Sequence, residues 1–539
     1  MTVHANYALT DLAAWVFGHW LRVALVIAAV LALLVPGSLA QAGAAALTAE
    51  GHDAAQPAAD LAHGKLFFVP SGAQVTIDVP RQAPDIAAAL RAIADWHVAG
   101  GAFVNVRIAP GRYDLTTAIV IDHPDGRRIG LSAAIAAQPV RFAGFVSSVP
   151  AEGGASDITI RLDTTRGLAL GDYLRVTKTA GEGAPAELQG LFPVIAIVGD
   201  AVTLRSRNRA LALRGTALSS AEIFKPAVQI RILPGHPEHE FYGLDVQTAL
   251  GMLNNVAIIG DGIHPYSSGV RVGDAAYLLT GTGGGTGGLS IANWGRNCLW
   301  AFRNATAITD GLTVSGCGTS GVIALQGGQI EAARSIATGS GYGFAAIDGG
   351  QVTCSGCQAV GNNTNFFAIS GGVMVAPNSF AYGSSKGGTG YFAQAGGFIW
   401  AVGAEARRNQ SGFYADAGRI NAAGAKASEN RSYQFFPSFN HEGTSGGRIF
   451  GAKASPPSVE GCGEGASASG TDMGGEIRPG PSVAHCRIGF RVAFTTPPNC
   501  SLTQKSGVPV KFDVDAEGIT LGTPDRAIEG PLNFRCAGD

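Results

Sequence analysis

Charge is scarce in this sequence. Only 14% of the 539 residues are Asp, Glu, Lys or Arg, and the formal net charge is -2. A chain so close to neutrality offers a polyanion nothing to grip, which argues against nucleic acid as a partner. Cysteine is missing from the first 297 residues, so whatever the cysteines do is confined to Cys298, Cys317, Cys354 and Cys357 in the middle and Cys462, Cys486, Cys500 and Cys536 near the end. Long apolar runs are also few. The run from Leu21 to Val35, behind Arg22, is short for a bilayer crossing and stops at Pro36-Gly37. Small-x-small sites follow at Ser38-Leu39-Ala40 and Ala40-Gln41-Ala42, so residues 1–42 read as a signal peptide, with an uncleaved inner-membrane anchor as the alternative because the leading region is long. No membrane contact is expected apart from that segment. The expected location is secreted, periplasmic or at the cell surface, an oxidising setting that suits eight cysteines.

What the chain does have is glycine, 77 of them, within a composition that is 46% hydrophobic. Its length exceeds one average domain, so two or three folded units with ample core are expected. A linker and leading segment covers 43–83. An N-terminal cap and the first strands of the main fold cover 84–141, opened by Pro84-Asp85 and an amphipathic helix with Ile86, Leu90, Ile93 and Trp96 on one side. Such a helix covers the apolar residues and free backbone groups that the first rung of a strand stack would expose. Residues 142–232 read as an inserted β module of short strands, in which Gly171-Asp172 and Gly199-Asp200 are turns. The main fold resumes over 233–455, with an excursion from Gly281 to Gly288, and a C-terminal disulfide-containing β module covers 456–539. Its four cysteines allow three pairings, among which the sequence does not choose.

The strongest signal is a ladder. Gly327, Gly349, Gly371, Gly396 and Gly418 are spaced by 22, 22, 25 and 22 residues. Five residues before each stand Val322, Phe344, Phe366, Tyr391 and Phe413, and three before stand Ala324, Ala346, Ala368, Ala393 and Ala415. After the glycines come Ile330, Val352, Met374, Ile399 and Ile420, then Ala337, Ala359, Ala381, Ala406 and Ala427. Helical repeats need apolar spacings of three and four over longer runs, so the period points to stacked parallel strands, with like residues in files about 4.8 Å apart. Asn363, Asn409 and Asn430 fall in one corner of successive coils. Cys354 and Cys357, which look like a redox or metal CxxC, fall in columns of Ala and Ser, and read as small core fillers with no zinc or redox role. Cys298 and Cys317, nearly one coil apart, are either a disulfide or buried thiols. The expected fold class is all-β, a right-handed parallel β-helix.

The coil columns, with Val120-Ile121-Asp122-His123-Pro124-Asp125-Gly126 and Gly412-Phe413-Tyr414-Ala415-Asp416-Ala417-Gly418, resemble the pectate-lyase-like right-handed β-helix superfamily, in the style of bacteriophage tailspikes and bacterial exported proteins. The resemblance covers roughly 84–141 and 233–455. It implies action on polysaccharide as a lyase, hydrolase or epimerase, and for tailspike-like members a homotrimer. The tail, through Gly470-Thr471-Asp472 and Pro498-Asn499-Cys500, is similar to small β modules at the ends of phage fibre proteins. The polygalacturonase pattern of paired aspartates, Gly-His-Gly and Arg-x-Lys is missing, as is the Arg-x-Pro-x-x-Arg of pectate lyases, so no family catalytic residue carries over.

Sugar cleavage needs two carboxyl groups across the scissile bond or, for a lyase, a base and a cation that neutralises the uronate. The densest polar cluster supplies the candidates: Asp261, Asp274, His264, Arg271 and Asp245 as catalytic groups, near Tyr266, with Trp294, Arg296, Trp300 and Arg303 as substrate-binding groups. The plainer reading makes Asp261-Gly262 and Gly273-Asp274 turns and the arginines solvated. Glu331 and Asp310 are the next acids, and Asp348 reads as a turn residue. No metal or cofactor is expected, and the partner is polysaccharide or a surface glycan. The expected function is a glycoside hydrolase or polysaccharide lyase, the alternative a non-catalytic glycan-binding or adhesive surface protein. One consequence can be tested on the fold alone: Ala346→Arg buries an unpaired charge in the narrowest file, and is expected to abolish the cooperative thermal transition read by circular dichroism.

Overall fold

The computed structural model describes residues 68–151, 155–180, 189–206, 220–232, 240–280, 288–384, 388–437, 447–450, 458–471, 474–481, 483, 485–490, 497–504, 511–522 and 530–537. The signal segment 1–42, the first part of the 43–83 segment and most of the Gly281 to Gly288 excursion lie outside the described residues.

The chain is an all-β parallel solenoid with three walls. The long wall has 10 strands, from Ile119–Ile121 to Tyr433–Pro437; the second has 12, from Gln74–Val79 to Arg448–Phe450; the third has 10, from Gly111–Leu115 to Lys426–Ser428. One coil shows the pattern: Ser320–Leu325 in the long wall, Gln329–Glu331 in the second, Ile336–Thr338 in the third, then back to the long wall at Tyr342–Ile347. This is consistent with the right-handed crossover that parallel strands take.

The files are those of the sequence ladder. Val322 pairs with Phe344 and Ala324 with Ala346, Ile330 with Val352, and Ala337 with Ala359. The aromatic file becomes a continuous stack, with Phe366, Tyr391 and Phe413 at ring-centroid distances of 4.7 and 4.6 Å and interplanar angles of 2° and 5°. Burial pushes the pKa of the Tyr391 hydroxyl up, and the hydroxyl shares a hydrogen bond with Ser379 Oγ at 2.9 Å. The chain leaves the long wall through two residues with positive φ, Asp348 at 49° and Gly349 at 75°, which makes Asp348 a turn residue. The glycine after them is demanded by packing, since a Cβ on Gly350 would stand 2.2 Å from the Ala324 carbonyl oxygen.

A polar ladder runs along the corner between the third and long walls. Cys317 N donates to Ser340 Oγ, Ser340 N to Asn362 Oδ1, Ser384 N to Asn409 Oδ1 and Asn409 N to Asn430 Oδ1, at 2.9–3.2 Å. The member in the third of these coils is Asn362 and not Asn363, since Asn362 stands three residues after Ala359 as Asn409 and Asn430 stand three after Ala406 and Ala427.

The cysteine readings need correction at one point. Cys354 and Cys357 are fully buried fillers, but they are also bonded to each other, Cα to Cα 5.4 Å. Gly356, with φ of 64°, turns the corner between them, so residues three apart converge where an extended strand would separate them. Cys298 is bonded to Cys317 across neighbouring coils, and the tail pairs Cys462 with Cys486 and Cys500 with Cys536. The tail itself holds two four-stranded sheets around Ile477, Ile488, Leu521 and Phe534.

Helix α1, Ile86–Ala92, is capped by Asp85, whose side chain accepts from Ala88 N at 2.7 Å. It buries Ile86 and Ala89, with Ile93 and Trp96 buried just after it, and packs on Gln74–Val79 and Phe103–Ile108, the first two strands of the second wall, and on Ile119–Ile121, the first of the long wall. Between Ala133 in the second wall and Val228 in the third, the chain builds a closed six-stranded barrel from Gln138 to Lys225. The barrel has its own core of Ile158, Ile160, Leu174, Val194 and Leu204. It docks on the third wall, where Tyr173 and Leu191 bury against Ala257, Ile259 and Ala292. Gln229 and Ser315 lock the contact by bonding the backbones of Tyr173 and Leu191.

Asn409 satisfies more groups than any other rung of the ladder, bonding Ser384 N, Asn365 Nδ2 and the carbonyl of Ala381. Asn409→Ala takes the side-chain partner from the buried Ser384 N and leaves Asn365 Nδ2 with the Tyr382 carbonyl alone. It is expected to lower unfolding free energy by about 2–4 kcal/mol in urea titration, the usual cost of orphaned buried groups, whereas a change at the exposed Arg419, Arg419→Ala, should cost well under about 1 kcal/mol.

Candidate functional site

In the outward file at the centre of the long wall, the coils before Ile323 carry charge and the regular coils after it carry none. Register explains where these meet. Asp245 pairs with Arg271, Arg271 with Trp300 and Trp300 with Ile323, so these residues form one outward file on the long wall. Alternating with it are the inward files headed by Leu244 and Val246, all fully buried. Because side chains in a parallel file lie directly above one another, Asp245 and Arg271 are brought together by register alone.

Arg271 is the hub. Its Nη1 donates to both oxygens of Asp245 at 3.0 and 3.1 Å, and its Nη2 reaches Asp274 at 3.4 Å. Arg303 Nη1 binds the other oxygen of Asp274 at 3.2 Å. The guanidinium of Arg271 is held between the rings of Tyr242 and Phe302, 4.8 and 4.9 Å from their centroids. Asp245 is only 6% exposed and also accepts from Gln247 at 2.8 Å, whereas Asp274, in a turn with φ of 55°, is open to solvent. The pair therefore consists of one sheltered and one accessible carboxylate on a single guanidinium.

Trp300 lies outward beside this hub with both faces covered, by Phe302 at 4.6 Å and by the Arg296 guanidinium at 5.4 Å. Arg296 in turn pairs with Glu240 at 2.7 Å. Burial pushes the pKa of the Tyr242 hydroxyl up, and its hydrogen bond to Glu240 adds to the effect. Ser268, Asn297 and Ser320 succeed one another in the neighbouring file that begins at Tyr242. Their side-chain oxygens, with Trp300 Nε1 and Arg271 Nε, are buried without a hydrogen-bond partner. Such atoms are uncommon in folded proteins, and here they gather on three adjacent coils.

Asp261 and His264 stand apart from this hub. They face each other at 2.5 Å in the corner before the strand Ser267–Val272, and Asp261 also accepts from Ile263 N at 3.0 Å in a local turn. Asp274 lies beyond the other end of that strand, which at about 3.3 Å per residue puts the two aspartates more than about 17 Å apart. Tyr266 is exposed in the same corner as His264. Trp294 requires a correction: it is fully buried inside the stack and offers no platform to a ligand. Gly243, Gly260 and Gly269 make room for it, since a Cβ on any of them would stand 2.7–2.9 Å from the indole. Sequence reasoning passed over Tyr242, Phe302 and Glu240. Extending the file alignment one coil before Asp261 would have found Tyr242, which stands in register with Ser268.

No protein-family model and no curated protein matches the sequence. Among solved structures, the chain is similar to a tailspike protein gp49 from Acinetobacter baumannii bacteriophage Fri1, a capsular polysaccharide depolymerase, at 8% identity over 88% of this chain and 86% of that one, with a TM-score of 0.18. A superposition at that level establishes no common frame, so the fold stands on its own strand pairing and the site on its own geometry.

Arg271→Ala strands the sheltered Asp245 with one amide partner. Breaking a buried pair costs about 3–5 kcal/mol, and partial exposure of the arginine reduces this to about 2 kcal/mol here. Arg271→Ala with Asp245→Asn is expected to recover at least half of that loss, measured as a double-mutant cycle in urea.

Proposed function

We propose that this is an exported β-helix protein that acts on polysaccharide, as a glycoside hydrolase or polysaccharide lyase, through the outer face of the long wall around Arg271. The observation that carries the reading is the placement of Asp245 and Asp274 on opposite sides of one guanidinium, beside the aromatic group of Tyr242, Trp300 and Phe302. Two carboxylates flanking a fixed point are what glycosidic cleavage requires, and a cation beside a carboxylate base is what uronate elimination requires. Export is supported by four disulfides, which persist in oxidising compartments.

A second reading has its own observation. Asp245, Asp274 and Asp261 are each engaged by a cationic or imidazole side chain, and none stands alone in an apolar pocket as a general acid does. That favours a glycan-binding surface without turnover. Incubation of the purified chain with a polysaccharide panel separates the two. New reducing ends without absorbance near ~235 nm mean hydrolysis, reducing ends with that absorbance mean elimination, and binding without either means the second reading. If there is turnover, Asp245→Asn and Asp274→Asn are each expected to lower kcat at least about a hundredfold, the usual scale for a positioned acid or base. Unchanged rates in both would remove this hub from the chemistry, and Asp261→Asn then tests the Asp261–His264 corner.

A further inference from the structure

We infer that a second site, a two-lobed groove where the barrel springs from the solenoid, binds the carboxylates of an acidic oligosaccharide. The inference rests on the polysaccharide reading for the class of ligand, and on local charge for the place. The two lobes are neighbouring cavities of about 240 Å³ each that share Gln138 and Lys225 in their linings. One lobe is lined by Arg112, the other by Arg141 and Arg166.

The connection that builds the barrel also gathers these cations. The chain leaves the second wall after Ala133 and re-enters the third at Val228, and the two connections run side by side as Gln138 pairs with Lys225. Strand pairing places Arg231 over Asp114 and Gln229 over Arg112, so Arg112 and Arg231 project from neighbouring coils on the outer side of the third wall. They share one acid: Asp114 lies 3.7 Å from Arg112 Nε and 3.8 Å from Arg231 Nε, both too long for a good hydrogen bond. Both guanidiniums also converge on the Gly171 turn of the barrel, where a Cβ would stand 3.5 Å from Arg112 Nη1 and 4.0 Å from Arg231 Nη1.

The remaining charges do not cancel this excess. Lys225 is taken up by Asp172 at 2.7 Å and the Gly167 carbonyl at 2.6 Å. Arg141 and Arg166 have no carboxylate within 4 Å among the described residues, and the only other acid lining the lobes is Asp163. Arg112, Arg141 and Arg166 line the lobes and Arg231 stands beside Arg112, against Asp114, Asp163 and Glu222, the last in register with Arg141, on a chain whose total charge is -2. Gathering like charges in a groove is costly unless an anion occupies it, and guanidinium forks match a carboxylate in two bonds. An inorganic oxyanion shares that chemistry, but it is far smaller than two neighbouring lobes. A saccharide bearing a carboxylate on successive rings fills both, with Gln138 and Thr164 left to meet its hydroxyls.

The test measures binding of oligogalacturonate, of a neutral dextran oligomer of equal length and of inorganic phosphate to the full chain, at low and raised salt. Oligogalacturonate is expected to bind with an affinity that falls as salt rises, and dextran and phosphate to bind at least about tenfold more weakly, since each lost charge-assisted bond is worth about a factor of ten or more. Arg112→Gln/Arg141→Gln/Arg166→Gln should weaken oligogalacturonate at least about tenfold with the thermal transition kept. The double variant Arg141→Gln/Arg166→Gln, at two exposed positions, should weaken it severalfold and serves if the triple variant fails to fold. Equal binding of dextran, full competition by phosphate at similar concentration, or wild-type affinity in the variants overturns the inference. Arginine-dependent binding while the panel shows no turnover supports the inference and removes only the catalytic reading of the long wall, and turnover without arginine-dependent binding removes the groove alone.

Discussion

Parallel strands stacked in register at one fixed spacing are the constraint on which the rest of this molecule depends. Hydrogen bonding holds successive coils about 4.8 Å apart, so each side chain has the same position above and below it, coil after coil. A residue that fits once must fit against its own copies. Flat rings satisfy this by stacking, as Phe366, Tyr391 and Phe413 do, and alanine satisfies it where opposite walls come close, as in the file of Ala324, Ala346 and Ala368. Backbone groups left over at the corners are met in the same repeating way by Ser340, Asn362, Asn409 and Asn430.

The same constraint governs chemistry on the outer surface. In a file, a charged residue meets whatever stands one coil away, and a lone carboxylate among the apolar rings of the long wall would be costly. Asp245 is tolerated because Arg271 stands directly above it, and Arg271 because Tyr242 and Phe302 enclose its flat faces. From Ile323 onward the outward file turns apolar, through Ala345 and Phe367. Charge in this file is therefore confined to the coils before the ladder becomes regular.

The barrel adds what a repeating stack cannot. A stack places arginine over its own neighbour in the file, as with Arg231 over Asp114, whereas an insertion brings unrelated strands against that file from outside. Its docking needs an apolar patch, supplied by Ala257, Ile259 and Ala292, and backbone bonds from Gln229 and Ser315. At its edge the insertion leaves neighbouring cavities, one lined by an arginine of the third wall and the other by arginines of the barrel. The near-zero net charge of the chain hides this, because a sum over residues carries no information about where they gather.

The sequence by itself determined the fold class, because register stacking writes its requirement directly into a period of about 22 residues with fixed residue types, and the capping helix, because Pro84-Asp85 and the apolar spacing after it are local signals. It also located the coils that carry Asp245, Arg271, Asp274, Trp300 and Arg303. Only the tertiary structure decided which of these meet. Asp261 and Asp274 are close in sequence, yet a strand separates them, while Asp245 and Arg271 are 26 residues apart and touch because one coil is that long there. Trp294 reads as a surface aromatic until three glycines from other coils are seen to make a pocket for it inside. Cys354 and Cys357 read as separated fillers until Gly356 is seen to turn the corner between them. In each case the deciding quantity is a distance between coils or across a corner, and a single chain of letters expresses that distance only where the repeat is regular.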